Sequence, residues 1–256
     1  MTRVTFLTDF GTADGYAAAM VGVVATAAPE AVVDHASHGI APGDVFAAAM
    51  ALSRYAVVYP EGTVHMVVVD PGVGTRRRPL AARIDGRFYV APDNGVLSLV
   101  LAGADRVRMV EITDPEVVDD PSATFHGRDI FAPAAAHLAR GGGLDELGPA
   151  VHDPRLLPIP QPTRTEGGVR GEVLSTDRFG NLITNVPAGW LTDGAGISVD
   201  GESVGPVRRT YGDVEPGALL ALVGSAELLE ISVRDGSAAD RLGVGRGAEV
   251  VVRGAP

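Results

Sequence analysis

The residues with the greatest chemical potential follow an apolar run that ends at Val69. The chain passes there into Asp70 and a Pro-Gly turn, and three consecutive arginines occupy positions 76–78. A β-branched run that stops at such a turn predicts a buried strand. Because ligands of α/β sheets bind just outside the carboxyl ends of the strands, Asp70 and an arginine of this run could hold a ligand. A common turn beside a basic surface patch is the alternative.

Other polar side chains stand at turns elsewhere in the chain. These candidates are Asp9, Asn94, His126 in the run Phe125-His126-Gly127-Arg128, and the run 175–181. Histidine can accept a proton near neutral pH, arginine stabilises a hydroxide-like nucleophile, and aspartate orients water by hydrogen bonding. Convergence of an Asp, the arginine at 76 or 77 and a His would therefore create a water-activating group. For His126 alone, a helix-capping or core role is the alternative.

The run 175–181 combines groups that suit a nucleoside and an amino acid. Asp177 could accept hydrogen bonds from both hydroxyls of a ribose, and Phe179 could stack on a base. Asn181 offers a donor and an acceptor together, which suits the amino and carboxylate groups of an amino acid. A turn role for Asp177 and a core role for Phe179 are the alternatives.

Composition and motifs narrow the function classes. The 256-residue chain has 21 Lys+Arg against 32 Asp+Glu, and a net charge of -11 argues against nucleic acid or an anionic membrane as the main partner. The chain lacks Cys and a zinc-type histidine spacing, so we expect no metal. Dinucleotide, P-loop and serine-hydrolase motifs are also missing. Because neither a signal peptide nor a membrane-spanning stretch is evident, we expect a cytoplasmic protein.

The spacing of apolar residues predicts the elements that must position these groups. Predicted strands at 4–8, 32–33, 64–69 and 106–112 alternate with helices at 13–28, 44–55, 96–101 and 130–140, and a hairpin with an Asp-Gly turn covers 80–91. Such alternation predicts an α/β class of fold, with an N-terminal three-layer α/β domain built on a mostly parallel sheet.

The later part of the chain has a different character. A proline-rich stretch predicts a linker at 156–165 between an N-terminal domain, 1–155, and a C-terminal domain, 166–256. Short strands separated by turns are predicted at 169–176, 182–186, 196–204, 218–223, 228–233 and 248–253. This pattern is typical of a small β-barrel or sandwich.

Taken together, these motifs resemble the S-adenosyl-L-methionine (SAM) hydroxide adenosyltransferase family, which is related to the fluorinase and the chlorinase. The resemblance runs nearly from end to end of the chain. The residues that carry it are Thr8-Asp9-Phe10-Gly11-x-x-Asp14-x-Tyr16, His38-x-Ile40-x-Pro42-x-Asp44, Asp70-Pro71-Gly72-Val73-Gly74-Thr75, Ala91-Pro92-Asp93-Asn94-Gly95, Thr124-Phe125-His126-Gly127-Arg128-Asp129, Asp177-x-Phe179-Gly180-Asn181-x-x-Thr184-Asn185, and Gly224-Ser225 before Leu229-Glu230-Ile231.

The resemblance implies a fold, an assembly and a reaction. The implied fold is an N-terminal α/β domain with a C-terminal β-barrel, and the implied assembly is a homotrimer that holds SAM between neighbouring subunits. The implied reaction is displacement of L-methionine from the ribose C5′ by a water-derived nucleophile, which gives adenosine. SAM is then the substrate, and no cofactor is implied.

The resemblance also assigns roles to individual residues. The implied water-activating triad is Asp70, Arg77 and His126, with Arg77 selected among three neighbouring arginines by the motif spacing. Asp9 resembles the residue that holds the ribose hydroxyls. The other implied substrate-binding residues are Asn94, Phe125, Gly127, Asp177, Phe179, Asn181 and Ser225, with Ala239 in the turn that contacts adenine through its backbone.

The same motifs favour water over a halide as the nucleophile. The resemblance implies that halide enzymes carry Tyr, Thr, Tyr and Ser where this chain has Asp70, Val73, His126 and Gly127. Ala226 departs from relatives that have an arginine there, which leaves the partner of the methionine carboxylate open. The alternatives are a chlorinase-like halogenase, a non-catalytic sensor of SAM or adenosine, and a hydrolase of another adenosyl compound.

Overall fold

The computed structural model describes residues 1–192 and 194–254. The chain forms two compact units, Met1–Leu157 and a second that begins at Pro158. This boundary lies inside the predicted linker 156–165, whose last three residues form a short strand. The predicted domain limits, 1–155 and 166–256, stay a prediction.

The first unit alternates strands and helices up to its third strand, which two further strands follow before the next helix. Its strands are β1 (Arg3–Thr8), β2 (Val32–Ser37), β3 (Val64–Val68), β4 (Pro79–Ile84), β5 (Arg87–Pro92) and β6 (Val107–Glu111). Its helices are α1 (Tyr16–Ala27), α2 (Val45–Ala56), α3 (Ser98–Leu101) and α4 (Ala132–Ala139), with a π-helical turn at Gly127–Phe131 and a 3-10 turn at Leu144–Leu147.

These strands form one sheet in the order β2-β1-β3-β5-β4-β6. Strand β1 runs parallel to β2 and β3, and β3 runs parallel to β5. Strand β4 is antiparallel to both of its neighbours, β5 and β6, and a two-residue turn at Asp85-Gly86 joins it to β5. Both turn residues have positive φ, 44° and 86°, which an Asp-Gly pair adopts readily in a hairpin.

Neighbouring residues of the central strands point to opposite faces of this sheet. Phe6 and Met66 belong to one core cluster, with residues of α1 and α4, whereas Leu7 and Val67 belong to the other, with residues of α2 and α3. Strands that are buried on both faces read as continuous apolar runs. The sheet therefore lies between two helical layers, and the carboxyl ends of β1 and β3 lie side by side.

The second unit is a β-barrel. Its strands are β7 (Thr163–Thr165), β8 (Gly168–Thr176), β9 (Leu182–Pro187), β10 (Gly196–Val199), β11 (Glu202–Arg208), β12 (Leu219–Val223), β13 (Leu228–Val233) and β14 (Glu249–Arg253), and a short helix, α5 (Ala238–Leu242), precedes β14. The order is β14-β10-β11-β12-β13-β9-β8-β7, and pairing of β14 with β8 closes the barrel. The predicted α/β fold with a separate β-barrel is confirmed.

Two predicted elements were wrong in extent. The single strand expected at 196–204 is two strands, β10 and β11, because Asp200 and Gly201 adopt positive φ values of 45° and 86° in a tight turn between them. Strand β2 continues to Ser37 instead of ending at Val33, because it pairs with β1 along its length. None of the helices in the described part of the chain has the length and apolar character that a membrane crossing requires.

Candidate active site

A pocket of about 390 Å³ lies at the carboxyl ends of β1 and β3. Its wall contains Asp9 and Phe10 after β1, Asp70 after β3, and the segment 124–127. Because parallel strands end at the same edge of the sheet, residues far apart in sequence meet here. With residues 42–43, which also line it, the pocket collects four of the sequence motifs within one unit.

Asp70 and His126 are both hydrogen-bonded to Arg77. The Arg77 Nε donates to the two carboxylate oxygens of Asp70 at 3.0 Å each, and its Nη2 also donates to Asp70 Oδ2. The same Nη2 lies 2.7 Å from Nδ1 of His126. Only 4% of the Arg77 side chain and 5% of the Asp70 side chain are exposed. The three groups therefore form one connected network, in which the Asp70–Arg77 pair is largely shielded from water.

The hydrogen bond to Arg77 decides where His126 carries its proton. A guanidinium nitrogen can only donate, so Nδ1 of His126 must accept and the neutral ring carries its proton on Nε2. Burial, followed by the positive charge of Arg77, lowers the pKa of His126 below 6.5, although the nearby Asp70 opposes this shift. His126 is therefore neutral at about pH 7 and presents an N–H donor on its far nitrogen.

The three consecutive arginines have three different surroundings. Arg77 is buried, and its guanidinium also lies 5.1 Å from the ring centroid of Phe131. Arg78 instead forms ion pairs with Asp93 and Asp153, and Arg76 is exposed. Only Arg77 can therefore link a carboxylate and an imidazole at this edge of the sheet.

The glycines of the turn after β3 permit this network. A Cβ at Gly74, where φ is 75°, would lie 2.7 Å from the carbonyl oxygen of Ala123. A Cβ at Gly72 would lie 3.2 Å from Cγ of Arg77. The first close approach brings the segment that carries His126 against the turn, and the second lets the arginine fold back over it.

Hydrogen bonds to Asp9 itself and to the residue before it hold Asp9 at the pocket. Its Oδ2 accepts from the backbone N–H of Gly43 at 2.8 Å. The preceding residue, Thr8, is fully buried, and its hydroxyl lies 2.8 Å from Nδ1 of His38. His38 in turn lies 2.7 Å from Nδ1 of His35. This chain of polar groups fixes the end of β1, while one carboxylate oxygen of Asp9 keeps capacity for a ligand.

An aromatic wall closes another side of the pocket. Phe10, Tyr16 and Phe125 meet edge to face, with ring centroids 5.2 to 6.1 Å apart. Behind them, a Cβ at Gly127 would lie 2.9 Å from Sδ of the fully buried Met20. The pocket therefore has an apolar surface beside its charged one, and glycine is the residue that fits at position 127.

Asn94 supports the site from behind. Its Nδ2 donates to the carbonyl of Val69 at 2.9 Å, and its Oδ1 accepts from the backbone N–H of Val96 at 3.2 Å. The amide is therefore used to hold the end of β3, directly before Asp70. This geometry favours a positioning role for Asn94 over the substrate contact that the resemblance implies.

The predicted residues of the second unit gather around a tight turn. Oδ1 of Asp177 accepts from the backbone N–H groups of Phe179 and Asn181 at 2.8 and 2.9 Å, and its Oδ2 accepts from the Asn181 side chain at 2.9 Å. Phe179 is 76% exposed, so it is not a core residue. Phe179 and Asn181 line a pocket of about 760 Å³ in this unit, together with Tyr211 and the turn 234–237.

Ser225 and Ala239 are placed differently from one another. Ser225 is exposed in the turn between β12 and β13. The backbone N–H of Ala239 donates to the carbonyl of Gly180 at 3.0 Å, so this group is already used within the unit. The backbone contact to adenine expected at this turn stays a prediction.

Sequence reasoning assigned no role to Tyr211, Met20 or His38, all of which contact the two pockets or their supports. Glu230, on β13, was also given no role. His38 and Glu230 both lie in the motifs that carry the family resemblance, and a glutamate within the otherwise apolar run of β13 was the signal that could have identified Glu230.

Across residues 1–192 and 194–254, no group of three metal-ligating side chains is close enough to hold a metal ion.

Comparison with known proteins gives matches over nearly the whole chain. Residues 4–148 match the family model described as the SAM hydroxide adenosyltransferase N-terminal domain, and residues 171–251 match that of its C-terminal domain. The chain is 45% identical to a protein named (R)-S-adenosyl-L-methionine hydrolase from Thermus thermophilus, over 98% of this chain and 99% of that protein.

Two further relatives extend the comparison. A protein of the same name from Salinispora tropica is 44% identical over 94% of each chain. The crystal structure of an uncharacterised conserved protein from Thermotoga maritima superposes with a TM-score of 0.92 and 35% identity, covering 98% of this chain and 99% of that one. The similarity therefore includes both units.

Proposed function

Because the chain belongs to the SAM hydroxide adenosyltransferase family, we propose that it hydrolyses SAM to adenosine and L-methionine. A water oxygen forms a bond to the ribose C5′ while the C5′–S bond breaks and its electron pair stays on sulfur. Methionine leaves as a neutral thioether, so its sulfur needs no proton. The enzyme must hold the water in line with the C5′–S bond and accept the proton that the water loses.

The observation that carries this proposal is the hydrogen-bonded network of Asp70, Arg77 and His126 at the pocket. Asp70 lines the pocket and is the acceptor for the water proton. His126 donates from Nε2 to the water oxygen, which fixes the water while one lone pair faces C5′. Arg77 holds both partners in place. Orientation of this kind can contribute roughly 7–11 kcal/mol to catalysis.

The rest of the first pocket suits the adenosyl group. Asp9 accepts hydrogen bonds from the ribose hydroxyls, and the rings of Phe10 and Phe125 contact the apolar face of the sugar. Gly127 leaves the nucleophile site without a further side chain. We assign the amino-acid and base contacts to the second unit, at Phe179, Asn181 and Ser225.

The assembly and the substrate epimer are further parts of the proposal. The family resemblance supports a homotrimer with its sites between neighbouring subunits, which sedimentation velocity would test. Both curated hydrolases compared above are named for the (R) epimer of SAM, and we propose the same epimer here. Incubation with an epimer mixture should then deplete (R)-SAM and leave the (S) epimer. The cytoplasmic location stays a prediction.

The decisive experiment is incubation with SAM in heavy-oxygen water. We expect adenosine and L-methionine in equal amounts, with the label in the 5′-hydroxyl of adenosine. Added chloride should give no 5′-chloro product. A halogenated product would favour the halogenase, adenosine without methionine would favour another adenosyl substrate, and tight binding without turnover would favour a sensor.

Neighbouring arginines provide a matched pair of variants. Arg77→Gln should abolish most turnover because it separates Asp70 from His126. Arg76→Gln removes the same charge from an exposed position and should leave turnover unchanged. Equal losses in the two variants would contradict the proposed network.

A further inference from the structure

The barrel unit contains a buried carboxylate that its own residues do not neutralise. Glu230, on β13, is 7% exposed. Its Oε1 accepts from the Tyr211 hydroxyl at 2.6 Å and from the Ser232 hydroxyl at 2.9 Å. Within the part of the chain that the structure describes, no arginine or histidine nitrogen lies within ion-pair distance of Glu230. Both of its partners are therefore neutral hydroxyls.

The second oxygen of this carboxylate has spare capacity. The described residues donate no hydrogen bond to Oε2 of Glu230. A Cβ at Gly224 would lie 2.7 Å from this oxygen, so the glycine leaves room for it. Gly224 begins the turn that carries the exposed Ser225. The free oxygen therefore faces the turn that the family motif connects with substrate.

A carboxylate in this situation favours a positively charged ligand. Removal of a carboxylate from water is costly, and neutral donors offset only part of that cost. A cation with N–H groups can offset more of it, because hydrogen bonds between charged groups are shorter and stronger than those between neutral groups. The chemistry of the site thus points to an ammonium group.

Asp177 is the carboxylate of this unit that the sequence predicts to bind substrate, but its oxygens are less available to a ligand than those of Glu230. Its two oxygens already accept three hydrogen bonds from its own turn, two from backbone N–H groups and one from the side chain of Asn181. Asp177 therefore shapes the turn, whereas Glu230 retains a free oxygen.

Tyr211 connects Glu230 with the pocket of the barrel unit. Its ring lines this pocket while its hydroxyl binds Glu230. Burial first, and then the hydrogen bond to Glu230, raises the pKa of Tyr211 to about 12, and the charge of Asp177 contributes to the shift. The phenol therefore remains a donor and keeps the carboxylate oriented with Oε2 away from itself.

We propose that Glu230 binds the α-ammonium group of the amino-acid part of the substrate through Oε2. This inference rests on the proposed function, and it adds a specificity-determining residue that none of the sequence assignments included. Glu230 selects sulfonium substrates that carry the ammonium group and takes no part in the bond-breaking step.

The test compares SAM with an analogue in which hydrogen replaces the α-ammonium group and the carboxylate is kept. The wild-type enzyme should prefer SAM in kcat/KM by about 10- to 100-fold, as expected for a charged hydrogen bond. Glu230→Gln should lose most of this preference: its kcat/KM for SAM should fall by that factor, while its value for the analogue changes by less than about twofold.

Glu249→Gln is the matched control. Glu249 is an exposed glutamate on β14 of the same barrel, paired with Arg170 at 3.2 Å, and its replacement should leave the preference unchanged. Equal losses for SAM and the analogue in Glu230→Gln would overturn the proposal, because a structural role affects both substrates alike. Absence of SAM turnover in the wild-type enzyme would instead contradict the proposed function.

A crystal structure of the wild-type protein with adenosine and L-methionine gives a second test, which does not depend on folding of the variant. The methionine nitrogen should lie within about 3.2 Å of Oε2 of Glu230. A nitrogen placed beyond ion-pair distance from both Glu230 oxygens would overturn the proposal.

Discussion

Asp70 in the first unit and Glu230 in the second are both buried carboxylates, and they have different partners. The Asp70 side chain, 5% exposed, contacts the guanidinium of Arg77 through both oxygens. Glu230 contacts two neutral hydroxyls through one oxygen and forms no ion pair among the described residues. The first charge is balanced within the fold, whereas the second is left for a ligand to balance.

This difference corresponds to two different tasks. A catalytic carboxylate must keep one position through many turnovers, and a fixed internal cation serves that need because it is present with or without substrate. A binding carboxylate gains selectivity if its cation arrives with the ligand, because ligands that lack the charge then leave it uncompensated. If the two carboxylates differ in this way, their replacement should affect turnover and stability differently.

The largest effect is expected for Asp70→Asn. Loss of the proton acceptor should lower kcat by roughly 10²- to 10⁴-fold. The variant also leaves the buried Arg77 without an anion, so the free energy of unfolding should fall by about 3–5 kcal/mol. Steady-state assays and urea unfolding would measure both changes.

An exposed ion pair of the same unit is the control for Asp70→Asn. Asp153 pairs with Arg78 at 2.8 Å, but its side chain is 83% exposed. Solvent screens such a pair, so Asp153→Asn should leave turnover and stability unchanged. Similar losses in Asp70→Asn and Asp153→Asn would mean that the carboxylate paired with the buried Arg77 matters no more than an exposed one.

The pH dependence of kcat should also distinguish the two pockets. Because burial and Arg77 lower the pKa of His126, this residue stays neutral down to below pH 6.5. Its protonation at lower pH would place a hydrogen on Nδ1, facing a guanidinium that can only donate, so kcat should fall by about tenfold per pH unit on the acid side. Burial and the hydrogen bond to Glu230 raise the pKa of Tyr211 to about 12, so its phenol should add no pH dependence in the assay range.

A pH–rate profile of kcat for the wild type and for His126→Asn checks this assignment. The variant should have a lower kcat and should lose the acid limb that His126 causes. An acid limb that persists unchanged in His126→Asn would assign it to another group, and a kcat that is unaffected by the substitution would remove His126 from the network.

Much of the first pocket was predictable because its strands are buried on both faces. Val67–Val69 reads as an apolar run that stops abruptly, so the placement of Asp70 at a strand end followed from the residues alone. The choice of Arg77 among three consecutive arginines did not follow from the residues alone, because all three have the same charge and side chains of the same length. The fold shows the answer: a Cβ at Gly72 would lie 3.2 Å from Cγ of Arg77, so this glycine leaves room for Arg77 to fold back onto Asp70.

The second unit was harder to predict in detail. Asp200-Gly201 carries the same turn signal as Asp85-Gly86, yet the strand was predicted to run through it. Glu230 interrupts an apolar strand, which marks it as unusual. Its partner Tyr211 lies 19 residues earlier in a different loop, so only the folded barrel reveals that the partner is neutral.

The two pockets should also differ in how they accept an added methyl group. Gly127 lines the first pocket, and a Cβ there would lie 2.9 Å from Sδ of Met20. Gly127→Ala should therefore lower the free energy of unfolding by about 1–3 kcal/mol, as overpacking does. Additional replacement of Met20 by Ala should relieve the clash but create a cavity.

Gly212 provides the comparison in the barrel unit. It lines the second pocket, and a Cβ there would meet only Cγ2 of Thr210, at 3.9 Å. Gly212→Ala should change stability by less than about 0.5 kcal/mol, as measured by urea unfolding. If Gly127→Ala were as well tolerated as Gly212→Ala, the first pocket would not be as closely packed as this contact indicates.

The smallest effect, and the sharpest contrast with Asp70→Asn, is expected for the stability of Glu230→Gln without substrate. The amide oxygen can accept the same hydrogen bonds from Tyr211 and Ser232, and no internal cation loses its partner. Because a neutral amide is less costly to bury than a carboxylate, the free energy of unfolding should stay within about 1 kcal/mol of the wild-type value or rise. A loss as large as that expected for Asp70→Asn would mean that the fold itself balances the charge of Glu230. Addition of adenosine and L-methionine should reverse the order: it should stabilise the wild type more than the variant, since only the wild type gains a compensating ammonium group.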